Sequence, residues 1–203
     1  MKDVTEQYEQ MRKMHLSERI ERLKNDIHRA AHETGSLNEF YERIHQILLD
    51  AKMFSAEEFS LGTYDKEDDE IFFEYIKDSV DPKFRVIPHA SESGSLSYQI
   101  IKDKKSILIT RDAIANREKQ LGEVPDVFMG VPLMDGEESV GVAMVQIYHG
   151  EETYTEEQLY IFKELSSAIS EALIEKRDDI TRAQNERMLE EINNIANAVD
   201  ETR

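Results

Sequence analysis

Residues Phe128 to Tyr148 read FMGVPLMDGEESVGVAMVQIY. With Val127 in front, two apolar runs, Val127–Met134 and Val140–Tyr148, flank Asp135-Gly136-Glu137-Glu138. An Asp-Gly pair between apolar runs supplies the left-handed backbone that a tight reversal needs, so a β-hairpin is predicted here. Along its second strand Val140, Val142, Met144, Gln146 and Tyr148 share one face, and Gly141, Ala143, Val145 and Ile147 share the other. The small residues of the second set suit close approach of a helix. Polar Gln146 and polarizable Met144 in the first set suit the wall of a pocket.

Beyond the hairpin, Thr155-Glu156-Glu157-Gln158 is a capping box that opens an apolar-periodic helix, Glu156–Arg177. Before it, Ser106–Thr110 is predicted as a strand, Asp112–Leu121 as a short helix or structured loop, and Ser93–Lys102 as a short helix. Phe59–Tyr64 and Ile71–Ile76 are strand candidates separated by the acidic turn Asp65–Asp69. Ser36-x-x-Glu39 is a second capping box, opening a helix whose buried stripe is Leu37, Phe40, Ile44, Ile47 and Leu48.

All 4 prolines and all 8 glycines lie between Gly35 and Gly150, so the two ends are predicted to be unbroken helices. In the first, Leu16, Ile20, Leu23, Ile27 and Ala30 form a heptad seam; in the last, Ile180, Met188, Ile192, Ile195 and Val199 form a sparser one. A lone helix with so narrow a stripe cannot bury it, and needs a partner helix from this chain or a second copy. The candidate homodimer interface is therefore Leu16, Ile20, Leu23, Ile27, Met188, Ile192, Ile195 and Val199. The predicted organisation is a dimerisation helix over 1–35, a sensor-sized domain over 36–177 and a coiled-coil output helix over 178–203.

A chain of 203 residues holds one domain with extensions, and an apolar fraction of 39% fits a domain flanked by solvated helices. The net charge is −18, about −16 of it between the two ends. Such a body repels phosphate backbones, so no nucleic-acid partner is expected. No run approaches the ~18 apolar residues of a membrane span and no signal peptide opens the chain, so no membrane insertion and a cytoplasmic location are expected. Cysteine is absent, which excludes disulfides, thiolate zinc sites and cysteine nucleophiles. His28 and His32 share a helix face without a third ligand, and the run Glu67–Glu70 reads as a solvated turn, so no metal is expected. His32-Glu33-Thr34 lacks the continuation of a phosphoacceptor motif, and no nucleotide-binding loop accompanies it. No triad, phosphate loop or carboxylate pair marks a catalyst.

The order GVPL, acidic turn, VGVAMVQIY, YTEEQL and helix resembles the C-terminal half of a GAF domain. Ile71–Tyr75, Gly94–Ile101 and Lys105–Thr110 follow the order of the subgroup that precedes histidine kinase or diguanylate cyclase domains in bacterial sensors. The resemblance covers roughly Ser36 to Arg177, through several weak motifs in sequence; Phe128 stands where that subgroup often has Trp. It implies an α+β fold: a mainly antiparallel sheet, terminal helices on one face, shorter helices covering the other. It further implies a non-catalytic sensor of two-component signalling, with a small-molecule ligand and an output kinase or cyclase as partners. The alternative is a dimerisation scaffold with no ligand. The family's pocket would draw on Tyr98, Asp112, Asn116, Phe128, Met144 and Gln146. Without cysteine, neither covalent bilin attachment nor the free methionine sulfoxide reductase chemistry of some GAF proteins is open to this chain. His89 and His149 sit beside turn residues, so no haem is expected either.

Overall fold

Phe59 and Leu61 point to one side of a strand, Ser60 and Gly62 to the other, and the same division runs through the whole sheet. The structure is a computed structural model that describes residues 4–80, 85–117, 121–150 and 152–200, with side chains from Thr5 to Ile195 among these. The elements are α1 (Val4–Glu33), α2 (Leu37–Ala51), β1 (Glu58–Asp65), β2 (Glu70–Lys77), β3 (Val86–Ile87), α3 (Ala90–Ser93) and α4 (Leu96–Asp103). Then follow β4 (Ile107–Thr110), α5 (Arg111–Ala115), β5 (Val127–Asp135), β6 (Glu138–Ile147) and α6 (Glu156–Asp200). The six strands form one sheet in the order β3-β2-β1-β6-β5-β4, antiparallel throughout. This is the expected three-layer α+β, GAF-like architecture with long terminal helices.

Two cores result. On one face Phe59, Leu61, Met129, Val131, Ala143 and Val145 meet α1, α2 and α6 through Ile27, Phe40, Ile44, Phe162, Leu165 and Ile169. On the other, Ile71, Phe73, Phe128 and Val142 meet Ala90, Ile100, Ile101 and Ile114 of α3, α4 and α5. Each such Val, Leu, Ile, Met or Phe side chain contributes about 1.5–3 kcal/mol on burial, so both layers hold the sheet.

Local signals set the element ends as the sequence predicts. Ser36 Oγ accepts from Glu39 N at 3.2 Å. Thr155 and Gln158 exchange reciprocal bonds of 2.9 and 3.2 Å at the start of α6. Asp135 pairs with Glu138 across a two-residue turn in which Gly136 takes φ +57°. Pro132 lies past the end of β4, where β5 has no hydrogen-bonding neighbour on that edge, so its missing N–H costs no ladder bond.

Three readings are corrected. Gly141 makes room for a strand rather than a helix: a Cβ there would lie 2.3 Å from Gly62 O of β1. Val140 does not share the face of Val142 and Met144. The register slips between Leu133 and Met134, leaving Val140 unpaired and packed against the terminal-helix core. The N-terminal seam is covered within the chain. Ile20 and Ile27 are 4% and 0% exposed, and Leu16 and Leu23 pack partly against the same core. Their partner is α6, which runs parallel to α1: Lys24 meets Glu164, His28 meets Glu171 and His32 meets Glu175. With no Gly or Pro to stop it, α6 continues past Arg177 to Asp200 as one helix of 45 residues. On its distal part Met188, Ile192 and Ile195 are 56%, 54% and 66% exposed. Val199 lies outside the described side chains.

Candidate functional site

A cavity of about 90 Å³ lies between the sheet and the α4–α5 cover, on the face away from the terminal helices. A bulge in β2 shapes its floor. Leu61 pairs with Tyr75 but Gly62 with Phe73, so Glu74 is left over. The extra residue restores the alternation two ways: Phe73 and Ile76 face the cavity, while Tyr75 packs into the terminal-helix core. Just past β2, Asp78 is buried at 9% exposure on the cavity wall. Its Oδ2 accepts from Gln146 Nε2 at 3.1 Å and from Tyr148 OH at 2.8 Å, and its Oδ1 from Val80 N at 2.9 Å. Ser60 of β1 and Met144 of β6, paired in register, lie beside them, with Ser97 Oγ of α4 3.7 Å from the Met144 sulfur.

The cover is held by polar anchors. Asp69, at φ +53° in the β1–β2 turn, accepts from Ser91 Oγ at 2.7 Å and from Tyr64 OH at 3.0 Å. Those bonds, Ser91's first, hold its carboxyl below the usual carboxylate range. Ser95 Oγ caps α4 by accepting from Tyr98 N. Arg117, beyond α5, donates from Nη1 to Gln99 Oε1 at 2.9 Å and from Nη2 to Gly94 O at 3.0 Å, and its side chain lines the cavity.

Of the residues expected to converge, Phe128, Met144 and Gln146 line this cavity. Tyr98 lies outside its lining and packs edge-on to Tyr64, 5.8 Å between centroids. Asp112 and Asn116 are exposed, and Asn116 Nδ2 turns back to Asp112 O at 2.8 Å, so neither reaches the cavity. Asp78, Tyr148, Ser60 and Arg117 were not foreseen. Tyr148 shares the alternation of Gln146 and was within reach of the same argument. Asp78 and Arg117 sit in stretches of mixed charge, where no local pattern singles them out.

A second polar cluster lies behind the bulge. Glu74 accepts from Tyr41 OH, Thr63 Oγ1 and Arg177, joining α2, β1, β2 and α6 at the point where α6 leaves the domain body. Burial, then the bond to Glu74, pushes the Tyr41 hydroxyl well above its ordinary pKa. Burial opposes the Arg177 charge most strongly, but the Glu74 carboxylate and the Tyr41 hydroxyl together outweigh it and raise the guanidinium pKa. Next to it, Lys176 Nζ donates to Ala31 O at 2.9 Å and to Thr34 O, neutralising the carbonyl end of α1. His28 and His32 each face one glutamate of α6, and among the described residues no group of three metal-ligating side chains gathers.

The family model described as the GAF domain matches residues 34–174. No curated protein sequence matches at a significant level. Among solved structures, the GAF domain from an Acinetobacter phosphoenolpyruvate-protein phosphotransferase is 16% identical with a TM-score of 0.61, covering 79% of this chain and 93% of that one. A methyl-accepting chemotaxis protein is 15% identical with a TM-score of 0.61, covering 74% and 96%. Free methionine-R-sulfoxide reductase from Neisseria meningitidis, in complex with its substrate, is 12% identical with a TM-score of 0.62, covering 79% and 91%. At these identities the likeness is one of fold, and the reductase shows that the fold also carries enzymes. The match over 34–174, on a sheet and helices of this arrangement, places the chain in the GAF domain family.

Proposed function

We propose that this GAF domain is a sensory module that binds a small molecule in the cavity between sheet and cover and relays its occupancy to α1 and α6. The observation that carries the reading is the position of β2 between two sites. Phe73 and Ile76 line the cavity, and Glu74 between them holds Arg177 where α6 departs. A displacement of the strand by a ligand is felt at the helix without any longer chain of contacts. Couplings of this kind are typically worth ~1–3 kcal/mol, enough to bias a balanced pair of helix arrangements. The exposed seam Met188, Ile192 and Ile195 pairs with a second copy, and an output kinase or cyclase reads the arrangement. The domain does no chemistry itself.

A ligand-free dimerisation module is favoured by one observation. The Gln146 amide is satisfied inside the protein by Asp78 rather than left for a ligand. One experiment separates the two. Thermal stability is measured against a metabolite library for the wild type and for Ser60→Leu, which fills the cavity from β1. The sensor reading expects compounds that stabilise only the wild type and alter hydrogen exchange in α6 beyond Arg177. If no compound shifts either form, the module is a scaffold.

A further inference from the structure

Arg117 is the one cationic side chain among the described residues lining the cavity. Among the described residues both of its hydrogen-bond acceptors are neutral, the Gln99 amide oxygen and the Gly94 carbonyl, so its charge is held in place there without a direct bond to a carboxylate. A guanidinium offers five N–H donors in a planar fork, and two are engaged here. The remaining edge suits an anion, and guanidinium forks match carboxylate geometry in particular. In a chain of net charge −18, whose field repels anions, Arg117 is the local positive charge that can offset that repulsion at the cavity wall.

The rest of the lining narrows the class. Phe73, Ile76, Leu96, Phe128 and Met144 give an apolar body to the space. Two carboxylates, Asp78 and Glu123, also line it, and they disfavour a ligand with a second negative charge. At about 90 Å³, against roughly 150 Å³ for a cavity that takes benzene, the space holds a short chain and no nucleotide or ring system. We infer that the cavity takes a small aliphatic monocarboxylate, its carboxylate on the Arg117 guanidinium and its alkyl chain against Phe128 and Met144. This rests on the cavity being the sensor's binding site.

The test uses the full chain and four probes of matched size: propionate, the neutral propionamide, the cationic propionamidinium and the dianion malonate. Affinities are read from NMR chemical-shift titrations of the wild type, Arg117→Gln, Arg117→Lys and Ser60→Leu. Propionate is expected to bind the wild type about tenfold or more tighter than the other three probes. Arg117→Gln should weaken propionate about 10–100-fold, as loss of a charge-assisted bond does, and Arg117→Lys should restore part of that. Because the probes are compared on the unaltered protein, the inference stands or falls even where Arg117→Gln loosens the cover. Tighter binding of propionamide or propionamidinium, abolished by Ser60→Leu, overturns the anion assignment and keeps the cavity as the binding site. Absence of binding by all four probes overturns the assignment. The sensor reading itself falls only if the metabolite library also shifts nothing.

Discussion

His45 shows how one buried side chain writes a pH dependence into the domain. It lies on α2 at 7% exposure, stacked on Phe59, with Nε2 2.7 Å from Ala56 O and Nδ1 2.9 Å from Tyr75 OH. Burial lowers its pKa below the ordinary imidazole value, with the Ala56 carbonyl only partly offsetting it. In the unfolded chain the ring takes up its proton near pH ~6.5; in the fold it does so only at lower pH. Below ~6.5 the unfolded state therefore holds more protons, and stability falls as the pH is lowered, while above it the full contribution is present. Denaturation midpoints taken from pH 7.5 down to 5 should fall more steeply for the wild type than for His45→Gln; parallel curves would remove His45 from this role. Ile27 makes the complementary case for packing. At 0% exposure beneath the sheet, Ile27→Ala should cost about 2–5 kcal/mol in chemical denaturation. Ile27→Asp should unfold the domain rather than merely separate subunits. Single residues of this kind were half legible in the sequence. The heptad spacing marked Ile27 as buried, since periodicity is local, but not against what. Arg117 was missed because in the covering segment Asp112–Leu121 the polar residues Asp112 and Asn116 were taken as the pocket candidates; only the folding of the cover onto the sheet gives the Arg117 charge a cavity to face.

Among the elements, β2 does two jobs because it has one residue too many. The bulge turns Glu74 to the helix side while Phe73 and Ile76 keep to the cavity. Its register is set by pairs 11 and 14 residues apart in the chain, Gly62 with Phe73 and Leu61 with Tyr75, so no local pattern announces it. The hairpin and both capping boxes, by contrast, close within four residues and were readable directly. Glu74→Gln should cost about 1–3 kcal/mol, toward the lower part of that range because Arg177 is 36% exposed on its side chain. The more telling effect is directional. Hydrogen exchange should quicken in α6 around Arg177 and beyond while the β5–β6 hairpin keeps its protection. Uniform loss of protection across the sheet would make the cluster a plain structural brace.

At the scale of the whole molecule, the structure divides its two seams between inside and outside. The N-terminal seam belongs to the domain's own core, and Met188, Ile192 and Ile195 of the C-terminal seam are left exposed. Ile192→Asp together with Ile195→Asp should therefore give monomers by sedimentation without moving the thermal transition of the domain. A lowered transition would mean that the distal helix helps hold the body together. The sequence treated the two seams alike, since both are narrow stripes of similar spacing, and only the parallel packing of α1 on α6 tells them apart.

That α6 is unbroken has a mechanical consequence. From Asp178 onward about 23 residues, roughly 35 Å at 1.5 Å each, extend from the Glu74–Arg177 contact as a shaft with no joint. A shaft transmits angle: whatever twist the sheet imposes at Arg177 arrives at Ile192 and Ile195 as a change of azimuth. One residue inserted near Asn185 swings the distal face through about 100°, whereas seven return it to within ~20° of its starting phase. A chain without cysteine lets this be timed directly. A single Ile195→Cys should cross-link quickly in the parent and in the seven-residue insertion, and slowly in the one-residue insertion.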